Sequence, residues 1–209
     1  MGTIAISGSA SGIGAATRAM LDANGHTIIG IDLRDAEVIA DLTTDEGRHS
    51  AVTEVIARCD GVLDGLVSGA GLGPPVPAAM ITEVNYFGSQ ALLAGLRPAL
   101  AAAQGAAVVQ IGSNSSTITP NLPDELVDAF LAHDRTAITA ALDEIGEPFD
   151  SAMAYGASKI AITRWCRRQA TTDDWVGQGI RLNVIAPGAV QTPLLERGDD
   201  DPIYGPLTT

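Results

Sequence analysis

Lysine is all but missing from this chain of 209 residues: Lys159 is the single one, and the rest of the 12 basic side chains are arginines. Basic charge as a whole is scarce. Against 25 aspartates and glutamates it leaves a formal net charge of −13, and both phosphate backbones and anionic lipid surfaces repel such a protein. Nucleic acid and membranes are thereby excluded as expected partners, which leaves a small molecule. Cysteine occurs twice, at Cys59 and Cys166, without the paired spacing of a metal or redox site, so both are expected as buried free thiols. No apolar run approaches the ~20 residues of a membrane span, and no charged-then-apolar leader precedes the strand pattern that opens at Thr3. The expected compartment is the cytoplasm. What is present, 46% hydrophobic residues in a chain of this length, suits one globular domain with a substantial core.

The lone ammonium falls four residues after a tyrosine, in Tyr155-Gly-Ala-Ser-Lys159. Side chains four apart share a helix face. A positive charge beside a phenol favours the phenolate, and moves a group that titrates near pH ~10 toward acid–base work. The bare pattern is common by chance, and it gains weight here because the only lysine occupies it. Arginine would be a poor substitute, with a permanent charge and a broad fork.

Read in order, residues 3–7 form a strand, Ser9 to Gly14 a tight turn, and the Ala-rich stretch to Asn24-Gly25 a helix. Further strands are expected at 26–32, 37–41, 63–67, 106–111 and 180–185. Helices are expected from the cap at Thr43 and Thr44 to Cys59, over 79–102 with Pro98 inside it, and around Tyr155. The alternation predicts an α/β fold, a Rossmann-type doubly wound parallel sheet whose ligands bind at the carboxyl ends of its strands. Two features interrupt the rhythm. A helical insertion covers about 117–150, with helices near 123–132 and 135–145, and a lid rich in Pro, Gly and Asp covers 189–209, with a short helix near 192–197.

Gly8, Gly12 and Gly14 lie between the first strand and helix, where phosphate needs close approach to backbone N–H groups and to the positive end of a helix dipole. Asp32, at the end of the next strand, can accept both hydroxyls of an adenosine ribose and repels a 2′-phosphate. NAD is therefore expected over NADP. Arg34 is the one residue arguing otherwise, although it can equally pair with Asp35 or cross the adenine face.

These motifs, in this order, resemble the short-chain dehydrogenase/reductase family. The family's cofactor turn appears as Ser7-Gly8-Ser9-Ala10-Ser11-Gly12-Ile13-Gly14, its asparagine as Asn85, its serine as Ser113 and its Tyr-x-x-x-Lys as Tyr155 and Lys159. The resemblance extends to Asp41-Leu42 at the adenine edge, to Gly71, and to Pro187-Gly188-Ala189-Val190-Gln191-Thr192, where the family holds the nicotinamide carboxamide. It implies that Tyr155 exchanges a proton with the substrate oxygen and that Ser113 hydrogen-bonds the same oxygen. Lys159 would favour the phenolate and reach the nicotinamide ribose, and Asn85 would bend its helix and hold a water leading from Lys159 to solvent.

Three departures matter. Ser68-Gly69-Ala70-Gly71 replaces the family's Asn-Asn-Ala-Gly, which puts the usual support of the sheet centre in doubt. Ser113 and Tyr155 are 42 residues apart, far beyond the usual spacing, and an insertion there resembles the bacterial 3α-hydroxysteroid dehydrogenase/carbonyl reductase subgroup. That likeness implies a homodimer through the inserted helices, with Leu126, Ala129, Phe130, Ile138, Ala141, Leu142 and Ile145 supplying the surface. Finally, nothing before Thr209 resembles the helix and seventh strand with which family members continue, so the sixth strand is expected to be a bare edge. The implied activity is NAD(H)-dependent interconversion of a hydrophobic secondary alcohol and its ketone, a 3α-hydroxysteroid leading. An aryl alcohol of the coniferyl type, or a catalytically silent NAD-binding role, are the alternatives.

Overall fold

Strand β1 (Thr3–Ser7) is apolar on both faces, Ala5 and Ile6 being fully buried, as a strand inside a parallel sheet must be. The structure is a computed structural model and describes residues 1–199. Around β1 lie β2 (Thr27–Asp32), β3 (Val38–Ile39), β4 (Gly65–Ser68), β5 (Ala107–Ile111) and β6 (Arg181–Ile185), all parallel, in the order β3-β2-β1-β4-β5-β6. The chain reverses direction across the sheet between β1 and β4, which opens a crevice at their carboxyl ends. This is the expected doubly wound fold, and β6 lies at a sheet edge.

Ser7 closes β1 and answers the question raised by the missing asparagines. Its buried hydroxyl accepts the backbone N–H groups of Gly69 at 3.0 Å and Ala70 at 3.2 Å, tying the end of β4 to β1.

One face of the sheet carries α1 (Gly12–Ala23); α2 (Asp45–Arg58) packs against the helix α4 (Ser89–Ala102). Leu92, Leu93, Leu96 and Leu100 of α4 are fully buried, at roughly 1.5–3 kcal/mol of hydrophobic stabilisation each. The predicted 79–102 helix is continuous but not uniform. It begins as α3 (Ala78–Thr82), widens into a π-helical turn at Glu83–Gly88, and resumes as α4. Helix α8 (Asp150–Gln169) packs through Ala154, Ala157 and Ala161, small enough for close approach and fully buried.

The insertion comprises the short α5 (Ser115–Ile118), which sequence periodicity does not announce, then α6 (Asp124–Leu131) and α7 (Arg135–Ile145). The expectation for its apolar face is corrected here. Leu126, Ala129, Phe130, Ile138 and Leu142 are buried within their own chain, with Ala141 and Ile145 at the margin of the same core. α6 and α7 lie against each other and against α8. An apolar face already covered in this way offers no surface to a second copy. The expected lid begins as α9 (Pro193–Asp199), and residues 200–209 lie outside the described residues. Both cysteines are free and buried, as expected.

Candidate active site

Helix α8 carries Tyr155 and Lys159 toward the carboxyl ends of β4 and β5. Lys159 is 4% exposed, its Nζ donates to the Ile111 carbonyl at 3.1 Å, and it lies 5.8 Å from the centre of the Tyr155 ring. Ser113, two residues beyond the same carbonyl, hydrogen-bonds Tyr155 through its side chain, and its Oγ accepts the Ser115 N–H at 3.2 Å. Burial pushes the Lys159 ammonium down to about 8. Burial also pushes the Tyr155 phenol up, opposed by the hydrogen bond with Ser113. The expected lowering of the phenol by Lys159 is thus not what this geometry gives: desolvation dominates, and the ammonium is directed at a carbonyl.

Asn85 sits inside the π-helical turn, whose extra residue re-aims side chains relative to a regular helix. Its carboxamide works as a two-point clamp on the backbone of Leu72, with Oδ1 accepting from N at 2.8 Å and Nδ2 donating to O at 2.9 Å. Nδ2 also reaches Ser158 Oγ at 3.4 Å, and Ser158 in turn donates to the Tyr155 carbonyl at 2.8 Å. Between these groups lies Gly71, where a Cβ would stand 3.5 Å from both Asn85 Oδ1 and Lys159 Nζ.

A cavity of about 660 Å³ runs past these residues. Ser113, Tyr155 and Lys159 line it, as do Gly8, Ser11, Gly12, Ile13, Gly14, Gly71, Pro187, Gly188, Val190 and Thr192. The glycine turn suits a dinucleotide pyrophosphate. A Cβ on Gly14 would collide with the Gly8 carbonyl, and one on Gly8 would stand 2.9 Å from Ala70 N. Ser11 leaves the first N–H groups of α1 without a side-chain cap, and the first turn holds no acidic residue, so both the donors and the helix dipole are open to an anion.

Four expected site residues stand outside the cavity lining. Asn85 lies behind the wall that it clamps. Asp32 is held beside the glycine turn, accepting from Ala10 N at 3.0 Å and Leu33 N at 2.7 Å. Asp41 accepts from Thr43 N at 2.9 Å and Thr43 Oγ1 at 2.7 Å, bonds that hold its carboxyl below the usual range. Leu42 is buried against the π-helical turn, and its carbonyl accepts from Arg48 Nη1 at 2.7 Å.

The far end of the cavity was not expected in detail. Ile118, Thr119, Pro120 and Ala152 join Leu194 and Leu195 of α9 to form a mainly apolar rim. Ala152 precedes Tyr155 by three residues on one helix face and was findable by that spacing. For 118–120, inside the insertion, no sequence signal fixed the path of the chain. Gly69 and Gly73 also line the cavity, and a Cβ on Gly73 would stand 3.3 Å from Leu194 and 3.8 Å from the Tyr155 ring.

Comparison with known proteins identifies the family. The family model for short chain dehydrogenases matches residues 126–202. A 3-alpha-hydroxysteroid dehydrogenase/carbonyl reductase of Comamonas testosteroni is 46% identical over 206 residues, covering 98% of this chain and 79% of that protein. The coniferyl-alcohol dehydrogenase of Pseudomonas sp. strain HR199 is 30% identical, over 92% of this chain and 74% of its own length. Among solved structures, the 3-alpha-hydroxysteroid dehydrogenase of Pseudomonas sp. B-0831, complexed with NADH, superposes with a TM-score of 0.91 at 48% identity, over 99% of this chain and 80% of that one. This chain belongs to the short-chain dehydrogenase family.

Proposed function

We propose that this chain is an NAD(H)-dependent oxidoreductase that interconverts a hydrophobic secondary alcohol and its ketone, with a 3α-hydroxysteroid as substrate. The observation that carries the proposal is a single cavity, with an anion-ready glycine turn at one end, Ser113, Tyr155 and Lys159 along it, and an apolar rim at the other. When bound, NAD supplies the hydride acceptor. The glycine turn and the N-terminus of α1 hold its pyrophosphate, and Asp32 accepts from the adenosine ribose. In oxidation, Tyr155 Oη takes the hydroxyl proton as the carbinol hydrogen departs as hydride; in reduction it returns that proton to the carbonyl oxygen. The Ser113 hydroxyl donates to the same oxygen and stabilises the charge that develops there. The Lys159 ammonium supplies the positive charge next to the reacting centre and Asn85 fixes the floor. Ile118, Pro120, Leu194 and Leu195 favour a large apolar substrate over a sugar.

The test is NAD-dependent oxidation of androsterone by the purified protein, followed as NADH formation, beside coniferyl alcohol. Turnover of androsterone is expected to exceed that of coniferyl alcohol. The reverse order would favour the aryl alcohol reading, to which the 30% identical relative gives some support, and turnover of neither would remove both substrates. The reading keeps a homodimer and a cytoplasmic location. The dimer would use the outward, polar side of α6 and α7, and a molar mass of one chain by light scattering would overturn it. Among the described residues no helix is long and apolar enough to cross a membrane.

A further inference from the structure

Beside Asp32 lies a second charged group that the reading above leaves unused. Gly30 and Asp32 are two apart on β2, so their side-chain directions share a face of the sheet, about 6.6 Å apart along the strand. Over Gly30 converge Ser9 from the glycine turn, Arg18 from α1 and Glu37 from the segment entering β3. A Cβ at Gly30 would overlap Ser9 Oγ and stand 2.5 Å from Arg18 Nη1 and 3.0 Å from Glu37 Oε2. Arg18 and Glu37 form a two-pronged ion pair, with Nη1 to Oε2 at 2.9 Å and Nη2 to Oε1 at 2.5 Å, and the Gly30 N–H donates to Oε2 at 2.7 Å. Both side chains are about one-third exposed, at 31% and 35%, and therefore remain open to a ligand's field. Ser9 is 1% exposed, and its hydroxyl has no hydrogen-bond partner among the described residues. Its neighbour Ala10 supplies the N–H that orients Asp32.

We infer that Glu37 is a second determinant of cofactor choice: by occupying Arg18 it withholds a cation on the Asp32 face of β2 and so disfavours a 2′-phosphate. The inference rests on the reading that a dinucleotide lies with its ribose at Asp32. A guanidinium beside the ribose is the group with which dinucleotide sites accommodate that phosphate, and here one is present but already paired. The unpaired Ser9 hydroxyl marks a spare donor at the same place. Asp32 excludes the phosphate by repulsion, and Glu37 does so by sequestering the attraction.

The test is fluorescence titration of the purified protein with NAD and with NADP, comparing the ratio of the two dissociation constants. Glu37→Gln keeps an acceptor for the Gly30 N–H but removes the charge, and is expected to shift the ratio toward NADP by roughly tenfold, less at high salt. Arg18→Gln is expected to shift it the opposite way, because Glu37 then stands uncompensated. The double variant should lose the gain of Glu37→Gln. An unchanged ratio in Glu37→Gln with NAD still bound would overturn the inference, and so would a gain surviving in the double variant, which would trace to Arg34. If Glu37→Gln fails to fold, the Arg18→Gln ratio decides, and no shift there overturns the inference. Wild-type protein that binds neither dinucleotide would instead reject the underlying cofactor reading.

Discussion

Lys159 donates to the Ile111 carbonyl at 3.1 Å, and the same oxygen accepts from Gln110 Nε2 at 3.0 Å. The chain's only lysine ammonium is thus held inside the wall of the cavity with its charge largely removed from water.

Holding it there has a cost that pH reveals. The folded-state value, about 8, lies below the ordinary lysine value of 10.5, so the unfolded chain binds the extra proton more tightly between the two. Lys159 therefore destabilises the fold at neutral pH by about 3 kcal/mol, and this penalty fades as pH rises from about 8 toward the unfolded value. Lys159→Met is expected to abolish oxidation while leaving the melting temperature at neutral pH unchanged or higher, since Gln110 still satisfies the Ile111 carbonyl. Thermal melts of the two proteins at neutral and alkaline pH check this; a variant markedly less stable at neutral pH would contradict it.

Tyr155→Phe removes one oxygen and the hydrogen bond with Ser113. A stability change of about 1 kcal/mol is expected, with a loss of at least ~100-fold in kcat. Burial keeps the phenol protonated at neutral pH, so the wild-type oxidation rate should climb as pH rises above neutral while ketone reduction declines. A flat oxidation profile from about pH 6 to about pH 10 would show that another group moves the proton.

Gly14→Ala tests the phosphate turn. The added methyl would meet the Gly8 carbonyl, forcing α1 away from the turn, and dinucleotide affinity by titration should fall at least ~10-fold. Retained affinity would mean that the dinucleotide does not lie on this turn.

Two arginines share Glu83 at the head of the π-helical turn and are expected to differ. Arg48 is 5% exposed and bonds both Glu83 Oε2 at 2.9 Å and the Leu42 carbonyl at 2.7 Å. Removing it as Arg48→Met leaves the Leu42 carbonyl unpaired while Arg135 still holds both oxygens of Glu83, and urea denaturation should show a loss of about 1–3 kcal/mol. Arg135 meets Glu83 at 2.8 Å from a side chain 47% exposed, so Arg135→Ala should cost under ~1 kcal/mol beyond its contact with the Phe87 ring. Equal losses would show that burial does not govern this cluster.

The doubly wound parallel sheet was legible because apolar runs alternate with helical periods, and such alternation calls for parallel strands with right-handed crossovers. Most residues expected at the site line one cavity, the glycine turn and Ser113 because they follow strand ends and Tyr155 and Lys159 because α8 carries them there, while Asn85, Asp32, Asp41 and Leu42 stand outside the lining. What stayed illegible depends on partners that sequence cannot name. Leu126, Phe130 and Ile138 have the same period whether they face α8 or another molecule. The π-helical turn is a one-residue slip that leaves no mark in an apolar pattern, and the two amides that Ser7 captures are brought to it only by the sheet.

The clamp between Asn85 and Leu72 makes the cleft floor and the helix behind it one stiff unit, fastened through main-chain atoms that substitution leaves unchanged. Variation in what such an enzyme accepts must then arise elsewhere, on the α5 segment and α9, whose side chains border the opening. A chimera that exchanges only those two segments with a relative should carry the relative's preference and keep this chain's chemistry.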